Sequence, residues 1–348
     1  MAKKLEKNRW QPLLHVQTLP RHYRLQELLG FHQRDSEQLA EQLVQQGAQT
    51  RLRKGLDWQG QPAWMELCWE SAAADREAPL QLNATLYLPQ QSQANMQADT
   101  SADSPADTSA RWAGVVRRML GLAYPPAALE AAHGKHPQLG RLLRAQAGLH
   151  VPAAPTAWEA LTWAIIGQQI SVAAAVTLRR RLIRAAGQPL ESVKDEALNV
   201  QPLWTYPNPA QVAALGEAGL RAAGYSQSKT RALLALAALM DSGALPLEDW
   251  AFASDAGQMT AEQIDAASQQ LLAVPGIGPW TVHYTLLRGL GWPDGSLHGD
   301  VAVRKALAGL LGVERVTEAQ TRDWLLEFAP WRALVAAHLW ASLSANAY

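Results

Sequence analysis

The stretch of sequence that decides the fold is Leu271-Leu272-Ala273-Val274-Pro275-Gly276-Ile277-Gly278-Pro279-Trp280-Thr281. Apolar residues at helical spacing precede it, which predicts a helix that ends near Leu271. Pro279 predicts the first position of a second helix, because proline lacks an N–H that would be unpaired there. The two glycines permit backbone angles that are closed to other residues, and they allow a ligand to approach the chain closely. The stretch therefore predicts two helices joined by a tight glycine turn.

This hairpin has two interpretations. Free N–H groups at the start of the second helix favour an anion such as a phosphate. Gly276, Ile277 and Gly278 are then candidates for contacts with a nucleic-acid backbone. The alternative is an ordinary corner between two helices, with a glycine cap. The Gly-x-Gly spacing alone leaves both interpretations open.

The composition limits the classes of protein to which the chain can belong. Its 348 residues are 48% hydrophobic, which suffices for two or three packed units. The single cysteine, Cys68, excludes internal disulfides, a cysteine-based zinc site and an iron–sulfur cluster. The sequence predicts neither a secretory signal nor a membrane span, so we expect a cytoplasmic protein. The formal net charge is zero, so any nucleic acid must be bound through a few placed contacts.

The chain divides into segments by composition and by hydrophobic pattern. We expect a flexible tail over 1–17, an α+β domain over 18–90, a low-complexity linker over 91–110 and a mostly α-helical domain over 111–348. The expected elements of the first domain are a helix over 25–43, a β-hairpin over 50–56 and 63–70, and a third strand over 80–88. The helical domain is expected to form two lobes, about 156–289 and about 112–155 together with 290–348, with a groove between them.

A second informative stretch, downstream of the hairpin, is Leu297-His298-Gly299-Asp300-Val301-Ala302-Val303-Arg304. Asp300 stands where a helix is predicted to begin, and aspartate is among the best N-cap residues. An isolated aspartate in this setting is more often a cap than a catalytic group. The two roles are compatible, because a fixed carboxylate can also stabilise a positive charge that develops during a reaction.

Together these stretches resemble the helix-hairpin-helix DNA glycosylase superfamily, in which a Gly/Pro-rich loop and an essential aspartate follow the hairpin. Within that superfamily the chain is most similar to the bacterial DNA-3-methyladenine glycosylase II enzymes. The resemblance runs from about Leu25 to the C-terminus, with the linker as an insertion. It is densest in four blocks, namely 164–173, the hairpin, the Asp300 loop and 330–340.

The resemblance implies a role for each matching residue. Asp300 would be the catalytic carboxylate. The base pocket would be lined by Trp280, Tyr284 and Trp340. DNA would be contacted by Gly276, Ile277, Gly278, Gln168, Gln169 and Ser171, with the Gln168–Gln169 loop entering the duplex where the base has left. A monovalent cation would be held by the backbone carbonyls of Leu272, Val274 and Ile277, and no organic cofactor or iron–sulfur cluster is implied.

Two departures from the family's pattern affect the expected reaction. Enzymes of the similar branch place a leucine at the position of Gln169, so the gap in the duplex would be filled by a polar side chain here. Branches of the superfamily that also cut the DNA strand carry a lysine at the position of Trp280. A Schiff base is therefore not available at that position, which favours removal of the base only.

The sequence thus predicts a monofunctional glycosylase that flips alkylated purines, of the 3-methyladenine type, out of duplex DNA in base excision repair. An alkylated purine is already cationic, so it needs a carboxylate for the sugar cation and aromatic rings for stacking rather than a strong general acid. The expected partner is double-stranded DNA with damaged bases, bound by a monomer near the nucleoid. Two alternatives remain, an oxidised-base glycosylase with AP-lyase activity and a non-catalytic helix-hairpin-helix DNA-binding protein.

Several other residues have a structural interpretation. Core packing is expected for Trp158, Trp163, Trp204 and Trp324. A solvated face and a phosphate patch are both open for Arg179, Arg180, Arg181 and Arg184. We interpret His283 and His338 as structural and leave His298, beside the Asp300 loop, unassigned.

Overall fold

The chain combines one antiparallel sheet with a larger set of helices in a computed structural model that describes residues 10–70, 79–90, 105–190 and 201–343. The strands of the sheet are β1 (Trp10–Thr18), β2 (Glu41–Gln46), β3 (Gln49–Trp58), β4 (Gln61–Glu70) and β5 (Gln81–Pro89). Their order is β1-β5-β4-β3-β2, and every neighbouring pair is antiparallel. Within those ranges no helix has the length and apolar character needed to cross a membrane.

The predicted β-hairpin is confirmed as β3 and β4. Its turn has Gln59 at φ 52° and Gly60 at φ 82°, the left-handed pair that a two-residue hairpin turn requires. The carboxylate of Asp57 supports the turn by accepting the amide of Gly60 at 2.7 Å. The predicted third strand is present as β5, so local turn and alternation signals were sufficient for this part of the sheet.

Two predictions for this domain are wrong. Residues 10–17, expected in a flexible tail, belong to β1, which pairs with β5 along its whole length; residues 1–9 lie outside the described residues. The helix expected over 25–43 is only α1 (Leu25–His32). Asp35 ends the helical pattern, because its carboxylate accepts the amides of Glu37 and Leu39 and forms a turn.

The helical part begins earlier than expected. Its first helix, α2 (Pro105–Met119), starts inside the predicted linker over 91–110, of which 91–104 lie outside the described residues. The other helices are α3 (Pro126–His133), α4 (Leu139–Ala145), α5 (Ala157–Gly167), α6 (Val172–Ala186), α7 (Pro209–Ala222), α8 (Gln227–Asp241), α9 (Leu247–Asp255), α10 (Ala261–Leu272), α11 (Pro279–Leu290), α12 (Val301–Leu311), α13 (Glu318–Leu326) and α14 (Arg332–Ser342). Two short strands, β6 (Pro189–Leu190) and β7 (Leu203–Trp204), pair with each other.

Three large buried clusters position the elements. The first is the core of the sheet, and it includes Trp112 of α2. Helix α2 therefore packs on the sheet and not with the lobe to which 112–155 was assigned. The second cluster lies mainly among helices α5 to α11, and the third joins α3 and α4 to α12, α13 and α14. Ala164 of α5 and Tyr284 of α11 belong to the third cluster, so these two helices lie between the helical clusters.

A buried group of charges joins the sheet to the helices. Lys54 of β3 donates hydrogen bonds to Glu41 of β2 and, at 2.8 Å, to Glu159 of α5. Arg179 of α6 binds both of these carboxylates, and all four side chains are 9% exposed or less. Arg180 and Arg184, also on α6, pair with Glu37 of the N-terminal domain. Three of the four arginines therefore contact the N-terminal domain. Arg179 is buried, which contradicts both interpretations for this residue, whereas Arg181 and Arg184 are exposed, as a solvated face predicts.

Candidate active site

The hairpin predicted from the sequence is present. Helix α10 ends at Leu272, Gly276 has φ 90° in the left-handed region, and α11 begins with Pro279 after the N-cap residue Gly278. The amide of Ile277 donates to the carbonyl of Val274 at 3.1 Å and closes the turn. Over the described residues, the amides of Gly276 and Gly278 donate to no backbone carbonyl. These two donors, one in the turn and one at the N-cap of α11, suit a phosphate oxygen.

Asp300 is the N-cap of α12, as predicted, and its carboxylate is also bound by two indoles. Oδ1 accepts the amides of Ala302 and Val303 at 2.8 and 2.9 Å. The Nε1–H of Trp280 donates to Oδ2 at 2.8 Å, and that of Trp340 donates to Oδ1 at 3.1 Å. Four donors from two other helices and from its own helix therefore fix the orientation of this carboxylate.

The three predicted pocket aromatics lie together beside Asp300. The ring centroids of Trp280 and Tyr284 are 5.3 Å apart, and those of Tyr284 and Trp340 are 6.2 Å apart. Trp280 and Tyr284 share one face of α11 because they are four residues apart. Trp340 reaches the same place from α14. The result is an aromatic surface whose indole N–H groups point to the carboxylate.

These residues line a cleft of about 660 Å³. Its other walls include Gln168, Gln169 and Ser171 from the loop between α5 and α6. The structure thus brings the predicted carboxylate, aromatics and loop to one cavity. The cavity is large enough for a nucleobase with part of its sugar, and it is open to solvent on one side.

The lining residues that were not predicted as site residues include Arg34, Trp163 and Arg288. Trp163, which we expected in the core, is only partly buried and faces the cleft. The guanidinium of Arg34, from the N-terminal domain, lies 4.8 Å from the ring centroid of Trp163. No local motif marks Arg34, because its place in the cleft depends on how the sheet domain packs on α5.

In the loop that follows α5, the two predicted DNA-contacting glutamines have different environments. The Nε2 group of Gln168 donates to the carbonyl of Gly276 at 3.1 Å and to Oγ1 of Thr281 at 2.9 Å, so this side chain lies against the hairpin. Gln169 is exposed and has φ 58°. Ser171 caps α6 by accepting the amide of Ala174 at 3.3 Å.

The three carbonyls implied as cation ligands belong to the same turn. The carbonyl of Val274 accepts the amide of Ile277, whereas those of Leu272 and Ile277 accept no backbone amide in the described ranges. Oxygen atoms without N–H partners at the end of a helix fit a hard monovalent cation. Over the same ranges, no cluster of three or more His, Cys, Asp or Glu side chains is arranged to hold a metal ion.

The two histidines near the site, His283 and His298, both contact Ser296 in the loop before Asp300. Nδ1 of His283 lies 2.7 Å from the carbonyl of Ser296, and burial lowers the pKa of His283. Nδ1 of His298 lies 2.7 Å from the hydroxyl of Ser296. Neither histidine lines the cleft. Among the described residues that line the cleft, the carboxylate is Asp300.

Comparison with known families gives one match over the central part of the chain. The family model described as "HhH-GPD superfamily base excision DNA repair protein" matches residues 162–330. The matched segment contains the hairpin, the loop after α5 and Asp300. The family resemblance inferred from the sequence is therefore confirmed.

Curated proteins with similar sequences include DNA-3-methyladenine glycosylase 2 of Escherichia coli, 30% identical over 202 residues, which are 58% of this chain and 63% of that protein. Another is a probable bifunctional transcriptional activator/DNA repair enzyme AlkA of Mycobacterium tuberculosis, 31% identical over 65% of this chain and 42% of that protein. The chain thus spans less than two thirds of the length of these relatives.

Among solved structures, a 3-methyladenine DNA glycosylase from Archaeoglobus fulgidus has a similar fold. The two superpose with a TM-score of 0.67, covering 94% of this chain and 99% of that one, at 18% sequence identity. The predicted fold class, an α+β domain followed by a mostly α-helical glycosylase domain, is confirmed by this likeness.

Proposed function

Since residues 162–330 match the HhH-GPD superfamily of base excision DNA repair proteins, we propose that this chain is a monofunctional DNA glycosylase that excises alkylated purines of the 3-methyladenine type from duplex DNA. One observation carries the proposal. The carboxylate of Asp300 is held by two indole N–H groups at the wall of an aromatic cleft, and the cleft adjoins a hairpin with free backbone amides. The names of the related proteins support the same activity.

The reaction that fits this geometry breaks the bond between C1′ and the base nitrogen. The bonding electrons leave with the base, and positive charge develops on the sugar. Asp300 would stabilise this cation and orient the water that attacks C1′, and the proton of that water would pass to the carboxylate or to solvent. Because Asp300 is already fixed by four hydrogen bonds, little reorganisation is needed as the charge develops.

The aromatic surface suits an alkylated purine. Such a base is cationic, so it would be attracted to the faces of Trp280, Tyr284 and Trp340, by roughly 0.5–2 kcal/mol for each good contact. Base flipping costs less for a damaged base than for a normal one. The cleft can therefore favour the lesion without a residue that recognises every edge of the base.

Two alternatives make different use of the same fold. An oxidised-base glycosylase with AP-lyase activity would need an amine in the cleft, and none of the residues lining it in the described ranges is a lysine. Lys229 instead donates to the carbonyl of Ile166 at 2.7 Å. A non-catalytic DNA-binding protein would not need a carboxylate fixed at an aromatic cavity.

The partner and the remaining features belong to the same proposal. Duplex DNA would bind at the amides of Gly276 and Gly278, with Gln169 entering the gap left by the flipped base. A monovalent cation at the carbonyls of Leu272, Val274 and Ile277 would keep this turn rigid. We propose that the enzyme acts as a monomer on chromosomal DNA in the cytoplasm.

The substitution Asp300→Asn tests the proposal with little risk to the fold, because asparagine is also a good N-cap. With methylated duplex DNA, we expect release of 3-methyladenine, measured by mass spectrometry, to fall by about 10³-fold or more as a fixed charge is lost. Duplex binding should persist. The control is Asp323→Asn on α13, an exposed carboxylate that does not line the cleft.

Other outcomes would choose between the alternatives. Undiminished release by Asp300→Asn would remove the catalytic role of this residue. A covalent DNA adduct trapped by borohydride would favour the lyase. Binding without release of any base by the unmodified protein, over a panel of alkylated and oxidised duplexes, would favour a non-catalytic protein.

A further inference from the structure

The side chain of Gln168 connects the two parts of the protein that are proposed to contact DNA. It belongs to the loop after α5, yet both of its amide hydrogens are used on the hairpin. We propose that Gln168 is a positioning residue that couples the phosphate-binding hairpin to the loop entering the duplex. This inference rests on the proposed function and adds to it the way in which backbone binding prepares base flipping.

The first support is the pair of hydrogen bonds made by Gln168. Nε2 donates to the carbonyl of Gly276, inside the turn, and to Oγ1 of Thr281, in the first turn of α11. Gly276 is the residue whose left-handed backbone shapes the turn, and the side chain of Thr281 is buried. One amide group therefore bridges both sides of the turn. The proposed phosphate donors, the amides of Gly276 and Gly278, belong to the peptide groups on either side of the Gly276 carbonyl, so a bound phosphate would hold the same turn that Gln168 holds.

The end of α5 is also held from the opposite side. Nζ of Lys229, on α8, donates to the carbonyl of Ile166 at 2.7 Å, and Lys229 is buried. This carbonyl lies in the last turn of α5, where helical carbonyls lack intrahelical partners. The backbone at the end of α5 is thus held by α8 at Ile166, and the side chain of Gln168, two residues further on, is held by the hairpin.

Gln169 is the part of the loop that these anchors leave exposed. Its φ of 58° lies in the left-handed region, which is costly for a residue with a Cβ atom. Such a conformation persists where the surroundings impose it. Gln168 and the N-cap residue Ser171 are the fixed points on either side of it. We therefore expect Gln168 to hold Gln169 in the conformation that enters the duplex.

The substitution Gln168→Met tests this role, because methionine keeps the length of the side chain and removes both donors. With methylated duplex in excess protein, we expect the single-turnover rate of base release to fall about ten-fold. Binding of undamaged duplex should change by less than about two-fold, since the hairpin amides remain. Fluorescence of 2-aminopurine beside the lesion should show a matching loss of base flipping. The control is Gln270→Met, an exposed glutamine on α10.

A second substitution separates positioning from general stability. If Gln168 acts through Gln169, then Gln168→Met should have little further effect in a Gln169→Ala background, so the two effects are not additive. Thr281→Val, which removes one acceptor and keeps the volume, should give an intermediate loss of flipping. It also carries the test if Gln168→Met fails to fold.

Three results would overturn the inference. These are additive effects of Gln168→Met and Gln169→Ala, weaker binding of undamaged duplex with unchanged flipping, or a lower melting temperature as the only change. Failure of the proposed function would look different, because the unmodified protein would then release no base, while flipping fluorescence would still report on the loop.

Discussion

At the scale of single residues, Asp300 shows that a helix cap and a candidate catalytic group can be one side chain. Its Oδ1 atom accepts the two amides that open α12, while Oδ2 accepts the indole of Trp280. The backbone amides fix where the carboxylate lies, and the indole fixes how it is turned. The capping role, which is an alternative to the catalytic interpretation in the sequence, is therefore compatible with that interpretation in the structure.

Trp280→Phe separates the two uses of this indole, because phenylalanine keeps an aromatic face and loses the N–H. A hydrogen bond to a charged group contributes about 1.5–3 kcal/mol, so we expect base release to slow by about 10- to 100-fold. Trp340→Phe should cost less, since Oδ1 keeps both backbone amides. Single-turnover rates on methylated duplex measure both. Equal rates for Trp280→Phe and the unmodified protein would show that the ring acts by stacking alone.

The candidate site could be predicted from the sequence where its residues carry local signals. Asp300 stands at a visible helix start, and Trp280 follows the hairpin directly. Arg34 and Trp163 could not be found in the same way, since they meet only after the sheet domain packs on α5. The bond between Gln168 and Gly276 was missed for the same reason, because it joins residues far apart in the sequence.

At the scale of elements, the hairpin turn depends on two glycines for different reasons. Gly276 has φ 90°, and a Cβ there would meet Cβ of Ala232 at 3.5 Å, which is ordinary contact. Its requirement is therefore conformational. Gly278 has φ −106°, an angle open to other residues, and a Cβ there would meet nothing within 4 Å. A requirement for glycine at this position therefore comes from a ligand that approaches the backbone.

Gly276→Ala and Gly278→Ala should accordingly differ. The first should lower the free energy of unfolding by about 1–2 kcal/mol, the cost of the left-handed region, and weaken duplex binding as the turn relaxes. The second should leave stability unchanged and weaken binding only. Urea unfolding and duplex titrations measure the two quantities. A stable Gly276→Ala variant with normal affinity would contradict the proposed contact between this turn and phosphate.

The elements predicted correctly are those whose ends are marked by strong local sequence signals. The turn of β3 and β4 and the hairpin of α10 and α11 are both marked by glycine next to apolar runs. Strand β1 lacks such marks and is formed by pairing with β5, which is distant in the sequence. The helix predicted over 25–43 is longer than the observed helix. The carboxylate of Asp35 accepts backbone amides and forms a turn, although the apolar periodicity continues beyond it.

At the scale of the whole molecule, the cleft depends on how separate cores are joined. Lys54 and Glu41 come from the sheet, and Glu159 and Arg179 from helices α5 and α6. Separating the members of such a cluster would leave buried charges without their partners, which is costly. The cluster therefore favours one arrangement of the sheet against the helices. It fixes the N-terminal domain against α5, the helix that ends at the Gln168 loop. The role of this domain in positioning the site is visible only at this scale.

The stability of the molecule should also depend on pH through His338. This side chain is buried in α14 with Nδ1 at 2.7 Å from Oε1 of Gln146, and burial, followed by the nearby Arg24, lowers its pKa to about 3. The unfolded chain binds a proton near pH 6.5, whereas the folded chain does not. Stability from this group is therefore complete above pH 6.5 and is lost as the pH falls towards 3.

His338→Asn should remove this dependence, because asparagine can donate to Gln146 and does not titrate. Relative to the variant, the unmodified protein should lose about 1.4 kcal/mol of unfolding free energy for each pH unit below 6.5. Asp255 provides a control of opposite sign, since burial raises its pKa to about 6 against the lowering effect of Arg118. Relative to Asp255→Asn, the unmodified protein should therefore gain stability as the pH falls from 6 to 4. Urea unfolding at several pH values measures both differences, and a constant difference between His338→Asn and the unmodified protein would show that folding does not lower the pKa of His338.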